Sequence, residues 1–175
     1  MSNILVVSAH PDDEILGVGG ALVRHRNQGD NITWLIVTNV SENDGFSKER
    51  VESRQQEITD VAVKLNAKVF KLDFPTMSLT TSDINQMVPR ISEVFQKTQP
   101  AIVYVLNRSD AHSDHRYIFD AVMSCTKSFR YPFLREVLMY ECISETEFAP
   151  ALPERVFMPN CYIDISDVMD EKLEL

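Results

Sequence analysis

Cysteine is scarce in this chain and poorly placed for cross-linking. Cys125, Cys142 and Cys161 are odd in number and widely spaced over 175 residues. That usage fits reduced, mostly buried thiols in a cytoplasm better than a disulfide framework. No C-x-x-C pair is present, so there is no thiolate metal knuckle. Positive charge is also in short supply, with 17 Lys and Arg against 26 Asp and Glu and a formal net charge of -9. The balance argues against nucleic acid, whose phosphates demand a basic surface, and against electrostatic attachment to anionic lipid. It selects no substrate. Long apolar runs are missing as well: Met1-Ser2-Asn3 has no basic region, and Ile4-Leu5-Val6-Val7 is far too short for a signal or a membrane span. A cytoplasmic protein without a membrane span is expected. Internal repeats, low-complexity segments and linkers are also missing.

A phosphate-binding glycine loop is lacking too. Gly17-Val18-Gly19-Gly20 follows a strand pattern but is not G-x-G-x-x-G, and the acidic turn before it would repel a pyrophosphate. Those glycines are read instead as letting a helix pack closely beside the preceding loop. His25, on the outer part of that helix, is expected to face solvent.

What is present fits one enzyme domain over residues 1–175. A hydrophobic content of 44% is enough for a respectable single core. Strands are expected over 3–9, 31–38, 68–72, 101–106, 136–140 and 161–164. Helices are expected over 17–28, 47–65, 82–98 and 115–128, with a last one capped by Ser166. Ser82 is a candidate N-cap, and Pro89 inside that helix implies a bend or a later start. Strands alternating with helices predict an α/β fold: a Rossmann-like three-layer α/β/α sandwich with a mostly parallel sheet and right-handed crossovers.

The richest chemistry lies in Ala9-His10-Pro11-Asp12-Asp13-Glu14, directly after the first apolar run, and in His112-Ser113-Asp114-His115, after Ile102-Val103-Tyr104-Val105-Leu106. Open α/β sheets bind ligands at the carboxyl ends of such strands. A catalytic zinc takes about three protein ligands and leaves a position for an acidified water, and His10, Asp13 and His115 would supply that set. Asp12 is then free to act as general base. His112 can stabilise an oxyanion or protonate a leaving amine, and Asp114 can orient it from behind. The bland alternatives are that the carboxylates only cap a helix and that the histidines sit on a polar loop. Three of the four histidines in the chain nevertheless fall in these two loops.

These two motifs resemble the PIG-L/LmbE-like family of zinc-dependent N-acetylglucosaminyl deacetylases, whose signatures are A-H-P-D-D-E and H-P-D-H. The first is matched in full; in the second, Ser113 replaces Pro, which removes only a backbone restriction. The resemblance implies the same three-layer fold, with His10, Asp13 and His115 as metal ligands, Asp12 as base and His112 as the transition-state imidazole. Arg54-Gln55-Gln56-Glu57 is similar to the family's R-x-x-E helix, which makes Arg54 a substrate-binding candidate; the alternative is an Arg paired one turn away on its own helix. Phe74-Pro75-Thr76-Met77 departs from the pattern, since many relatives carry an acidic residue after the Pro. Tyr140-Glu141, Phe157 to Asn160 and Asp164-Ile165-Ser166 look like a branch associated with surface-polysaccharide or other glycoconjugate synthesis.

The expected activity is removal of an N-acetyl group from an N-acetylglucosamine-type amino sugar in a glycoconjugate or nucleotide sugar, with Zn2+ as cofactor and Fe2+ as the other metal to consider. The other readings are hydrolysis of a different small-molecule amide, such as an antibiotic precursor or thiol conjugate, and a non-catalytic sugar-binding protein. Which of Asp12 and His112 protonates the leaving amine, and whether the chain forms a homo-oligomer, stay open. The pattern from Glu171 to Leu175 stops inside a helix where members of the family continue for tens of residues. The expectation is a truncated form or one that has lost its C-terminal part.

Overall fold

The computed structural model describes residues 1–175. Five strands, β1 (Asn3–Ser8), β2 (Asn31–Asn39), β3 (Ala67–Pro75), β4 (Ile102–Leu106) and β5 (Glu136–Tyr140), form one sheet in the order β3-β2-β1-β4-β5. Every pairing is parallel. β1 is central because it is apolar on both faces: Ile4, Leu5, Val6 and Val7 are all buried, between Ile32 to Ile36 on one side and Ile102 to Tyr104 on the other. Parallel neighbours need crossover connections, which are supplied by helices. These are α1 (Asp13–Asn27), α2 (Lys48–Leu65), α3 (Ile84–Thr98) and α4 (Ser113–Met123), followed near the end by a short α5 (Met169–Leu173).

The chain leaves β1 toward β2 and β3, then returns from β3 to β4 on the other side of β1. Right-handed crossovers therefore place α1 and α2 on one face and α3 and α4 on the other. The packing agrees, since α3 lies against α4 while α1 touches both α2 and α5. The direction of winding reverses between β1 and β4, which opens a crevice at their carboxyl ends. No helix is long and apolar enough to cross a membrane.

Several expectations need correction. No strand forms over 161–164; residues from Met158 to Ile165 have no regular structure, and Cys161 and Tyr162 are exposed. This segment and β5 both line a cavity of about 520 Å³, and the segment does not join the ladder. α3 runs unbroken through Pro89, its N-cap is Asp83 and not Ser82, and a single 3-10 turn over 81–83, capped by Thr80, leads into it. Thr80 and Asp83 form a capping box, with the Thr80 N–H donating to Asp83 Oδ2 at 2.7 Å. α4 stops at Met123, short of 128, and β3 extends from 67 to 75.

His25 does not face solvent. Its ring packs edge-on against Tyr104, with Nδ1 2.8 Å from Asp30 Oδ2 and Nε2 3.0 Å from the Tyr104 hydroxyl. A histidine on the outer turn of a helix is drawn inward because the buried tyrosine hydroxyl requires a partner.

Gly17 and Gly20 do allow close packing, but against Tyr140, Glu141 and Ile165 and not against the loop that precedes the helix. A Cβ on Gly17 would lie 2.3 Å from the Tyr140 ring and 2.7 Å from the Glu141 carbonyl. Gly17→Ala gains helix propensity worth about 1 kcal/mol yet overpacks a rigid contact, which costs typically 1–3 kcal/mol. Urea denaturation is expected to show net destabilisation; an unchanged midpoint would mean that β5 yields freely.

Candidate metal centre

β1 ends at Ser8 and α1 begins at Asp13, while β4 ends at Leu106 and α4 begins at Ser113. Because β1 and β4 are adjacent in the sheet, with Val6 opposite Tyr104, the loops after them face each other across the crevice. The imidazole centroids of His10 and His115 come within 5.5 Å, and that of His112 lies 4.6 Å from His10. Two motifs far apart in sequence thus converge on one point.

The acidic turn is not a helix cap. Asp12 holds the N-cap position of α1 without making a side-chain capping bond. Asp13 turns back, and its Oδ2 accepts the N–H groups of Ala9 and His10, each at 2.8 Å, which leaves Oδ1 directed at His115 Nε2, 3.4 Å away. Behind each histidine stands a carboxylate. His115 Nδ1 lies 2.9 Å from Asp110 Oδ2, and His10 Nε2 lies 3.3 Å from Asp114 Oδ2. The nitrogens left over are His115 Nε2 and His10 Nδ1, and the latter sits 3.9 Å from Asp13 Oδ2. His10, Asp13 and His115 each offer one ligand atom, and these atoms lie within 4.8 Å of one another.

A divalent cation fits this donor set. His115 Nε2 is buried and has no hydrogen-bond partner, and buried polar atoms seldom go unpaired without a reason. Burial disfavours a charged His115, but the hydrogen bond to Asp110 and the nearby Asp13 carboxylate prevail and push its pKa up to about 10. Burial also works against ionising Asp13, and the hydrogen bond and field of His115 overcome it, holding the carboxyl below its usual range. The two carboxylates flanking His115 therefore favour positive charge at this point of the pocket. An overlapping group, His10, His112 and Asp114, also has its ligand atoms close together. Its atoms are already engaged: Asp114 accepts from the N–H of Met77 at 2.8 Å and of Leu79 at 3.2 Å, and His112 Nδ1 accepts from the Asp114 N–H at 3.1 Å.

Asp12 is the freer of the two neighbouring aspartates. Its side chain is 53% exposed and lines the cavity of about 420 Å³ that also contains His10, Asp13, Arg54 and His112. Burial and the adjacent Asp13 raise its pKa, against the pull of Arg54. His112 lines the same cavity from the N-cap of α4, and burial followed by His10 lowers its pKa. Because its Nδ1 accepts a backbone N–H, the neutral ring carries its proton on Nε2.

The sequence pattern described as GlcNAc-PI de-N-acetylase, PIG-L, matches residues 5–126. The chain belongs to the PIG-L family. The diacetylchitobiose deacetylase of Thermococcus kodakarensis is 24% identical to it over 184 residues, spanning 99% of this chain and 67% of that protein. The probable N-acetyl-alpha-D-glucosaminyl L-malate deacetylase 2 of Bacillus cereus is 25% identical over 180 residues, spanning 98% and 79%. Among solved structures, GalB, the 4-carboxy-2-hydroxymuconate hydratase from Pseudomonas putida KT2440, superimposes with a TM-score of 0.69 at 23% identity, covering 99% of this chain and 77% of GalB. That likeness shows the fold alone.

Within this PIG-L chain two side chains do something other than expected. The Asp114 carboxylate makes no hydrogen bond to the His112 ring; it backs His10 and holds the loop at Met77, a residue with φ of 56°. Arg54 shows the pairing one turn away, with Nε 3.3 Å from Glu57, and adds contacts not expected: Nη1 donates to the Pro11 carbonyl at 2.6 Å and lies 3.8 Å from Asp12. Arg54 thus braces the loop that carries Asp12 and also lines the cavity. A small displacement of a reacting group can cost about 10²-fold. Arg54→Ala is therefore expected to lower kcat/KM by roughly 10- to 100-fold with metal content intact, as steady-state kinetics and metal analysis would record. A rate like that of wild type would remove Arg54 from the site.

Sequence reasoning overlooked Asp110, Asn107, Thr146 and Cys142. Asp110 is fully buried, and its Oδ1 accepts from Asn107 Nδ2 at 2.8 Å and from Thr146 Oγ1 at 2.7 Å. Cys142 Sγ lies 3.5 Å from Asp13 Oδ1. A carboxylate five residues before a candidate ligand histidine was the available signal for Asp110; nothing local marks Thr146 or Cys142. Glu14 is buried with neither oxygen hydrogen-bonded, and burial pushes its carboxyl well above the usual range. It packs under the loop and does not line the cavity.

Proposed function

We propose that the protein is a metal-dependent N-deacetylase that removes the acetyl group of an N-acetylglucosamine-type amino sugar in a glycoconjugate or nucleotide sugar, releasing acetate. Its support is the single observation that His10, Asp13 and His115 turn their ligand atoms toward one another while the half-exposed Asp12 stands beside them in the cavity. Membership of the PIG-L family and the deacetylase names of the relatives support the same reaction. In this reading residues 1–175 act as one catalytic domain in the cytoplasm, with zinc as the ion and ferrous iron as the other metal to test.

A divalent ion held by His10, Asp13 and His115 would supply Lewis acidity and lower the pKa of a water to about 7. Asp12 is placed to take the proton of the attacking water as its oxygen bonds to the acetamide carbon, and a pKa raised by burial and the adjacent Asp13 favours that uptake. His112 directs its Nε2 proton at the oxygen that becomes negative. Arg54, through the Pro11 carbonyl, keeps Asp12 at the reacting centre. Asp12 then returns its proton to the sugar nitrogen as the C–N bond breaks, so that the same carboxyl acts first as base and then as acid. Products are acetate and a free amine.

The experiment is metal analysis of the purified protein coupled to acetate release from N-acetylated sugars, nucleotide sugars and lipid-linked sugars. One ion per chain and acetate from at least one of them is the expected result. Metal without acetate from any member of the panel would overturn the proposal and direct attention to other amides or to hydration.

A further inference from the structure

Asp110 does not line the cavity that contains Asp12, yet its fully buried carboxylate joins several elements around the centre. Three side chains converge on one buried carboxylate: His115 Nδ1 on Oδ2 at 2.9 Å, and Asn107 Nδ2 and Thr146 Oγ1 on Oδ1 at 2.8 and 2.7 Å. Thr146 in turn accepts the N–H of Cys142 at 2.9 Å, and the Glu145 carbonyl accepts the N–H of Ala111 at 3.1 Å. The segment from Cys142 to Glu145 lines the cavity opposite His10 and Asp12. Loops after two different strands are thus joined through one carboxylate to the back of His115.

We infer that Asp110, clamped by Asn107 and Thr146, is the positioning residue that fixes the tautomer and direction of His115 for the metal, and that Thr146 makes the loop after β5 part of the metal site. A ring with Nδ1 committed to Asp110 leaves only Nε2 for an ion, and Nε2 is the buried nitrogen with no partner. A carboxylate behind a ligand histidine also makes the ligand more basic, and losing such a partner costs typically 10–100-fold in metal affinity. Thr146 contributes by saturating the oxygen that faces away from His115, which stops the carboxylate from rotating.

The inference rests on His115 being a metal ligand, and the test keeps the two apart. Zinc affinity is measured by chelator competition for the wild type and for Asp110→Asn, Thr146→Val and Thr146→Ser, with thermal unfolding of each metal-free protein alongside. Wild type is expected to bind zinc, Asp110→Asn about 10- to 100-fold more weakly, and Thr146→Val about fivefold more weakly, as for one lost hydrogen bond. Thr146→Ser, which keeps the hydroxyl, should restore wild-type affinity. Asp110→Asn binding zinc within twofold of wild type would overturn the inference, as would equal weakening by Thr146→Val and Thr146→Ser. A wild-type protein that binds no zinc would defeat the ligand assignment itself.

Discussion

Asp12→Ala is expected to keep its bound metal and to lose turnover by about 10²- to 10⁴-fold, the usual worth of a positioned general acid or base. The separation of binding from rate follows from the adjacent aspartates doing different work. Asp13 is buried and satisfied on Oδ2 by two backbone N–H groups, so its remaining oxygen is committed to the centre. Asp12 makes no capping bond, is half exposed, and is touched only by the guanidinium of Arg54 at 3.8 Å. Removing Asp12 deletes a proton acceptor without disturbing a ligand. The fall should appear in kcat more than in KM, because the proton moves only in the transition state. Asp12→Asn keeps the volume and should be equally slow. Turnover of an N-acetyl sugar by Asp12→Ala at the wild-type rate would refute the assignment.

The fold was legible because its signals were local and strong. An apolar run at the position of β1, a turn, and then a helical pattern repeat along the chain, and parallel pairing follows from having a helix between successive strands. The meeting of His10 with His115 was legible for the same reason, since ligand groups placed directly after adjacent central strands must share an edge. What stayed hidden depends on partners distant in sequence. The inward turn of His25 is set by Tyr104, the role of Asp110 by Thr146, and the capture of Asp114 by the backbone at Met77 and Leu79. Residues 161–164 include the β-favouring Tyr162 and Ile163, and such propensity cannot say whether a neighbouring edge lies within hydrogen-bond reach. Ser113 occupies the first position of α4, where Pro is favoured for its missing N–H but is not required.

His115→Ala is expected to abolish metal binding and activity together. Its affinity loss should exceed the 10- to 100-fold that removal of an outer partner costs, because the donor atom itself disappears. The substitution should also weaken the metal-free protein. His115 has no exposed surface and stands between Asp13 and Asp110, both buried, so its removal takes an imidazole partner from two buried carboxylates at once. Breaking a buried pair from one side costs about 3–5 kcal/mol, which urea denaturation of the metal-free form would record as a lower midpoint. Asp12→Ala carries no such stability cost, so the two variants separate the catalytic group from the ligand on two independent scales. Should His115→Ala still hold a stoichiometric ion, the centre would have to be the overlapping group of His10, His112 and Asp114. In that case Asp114 would have to release Met77 and Leu79 to bind the ion, and the loop after β3, in place of the buried start of α4, would govern metal affinity.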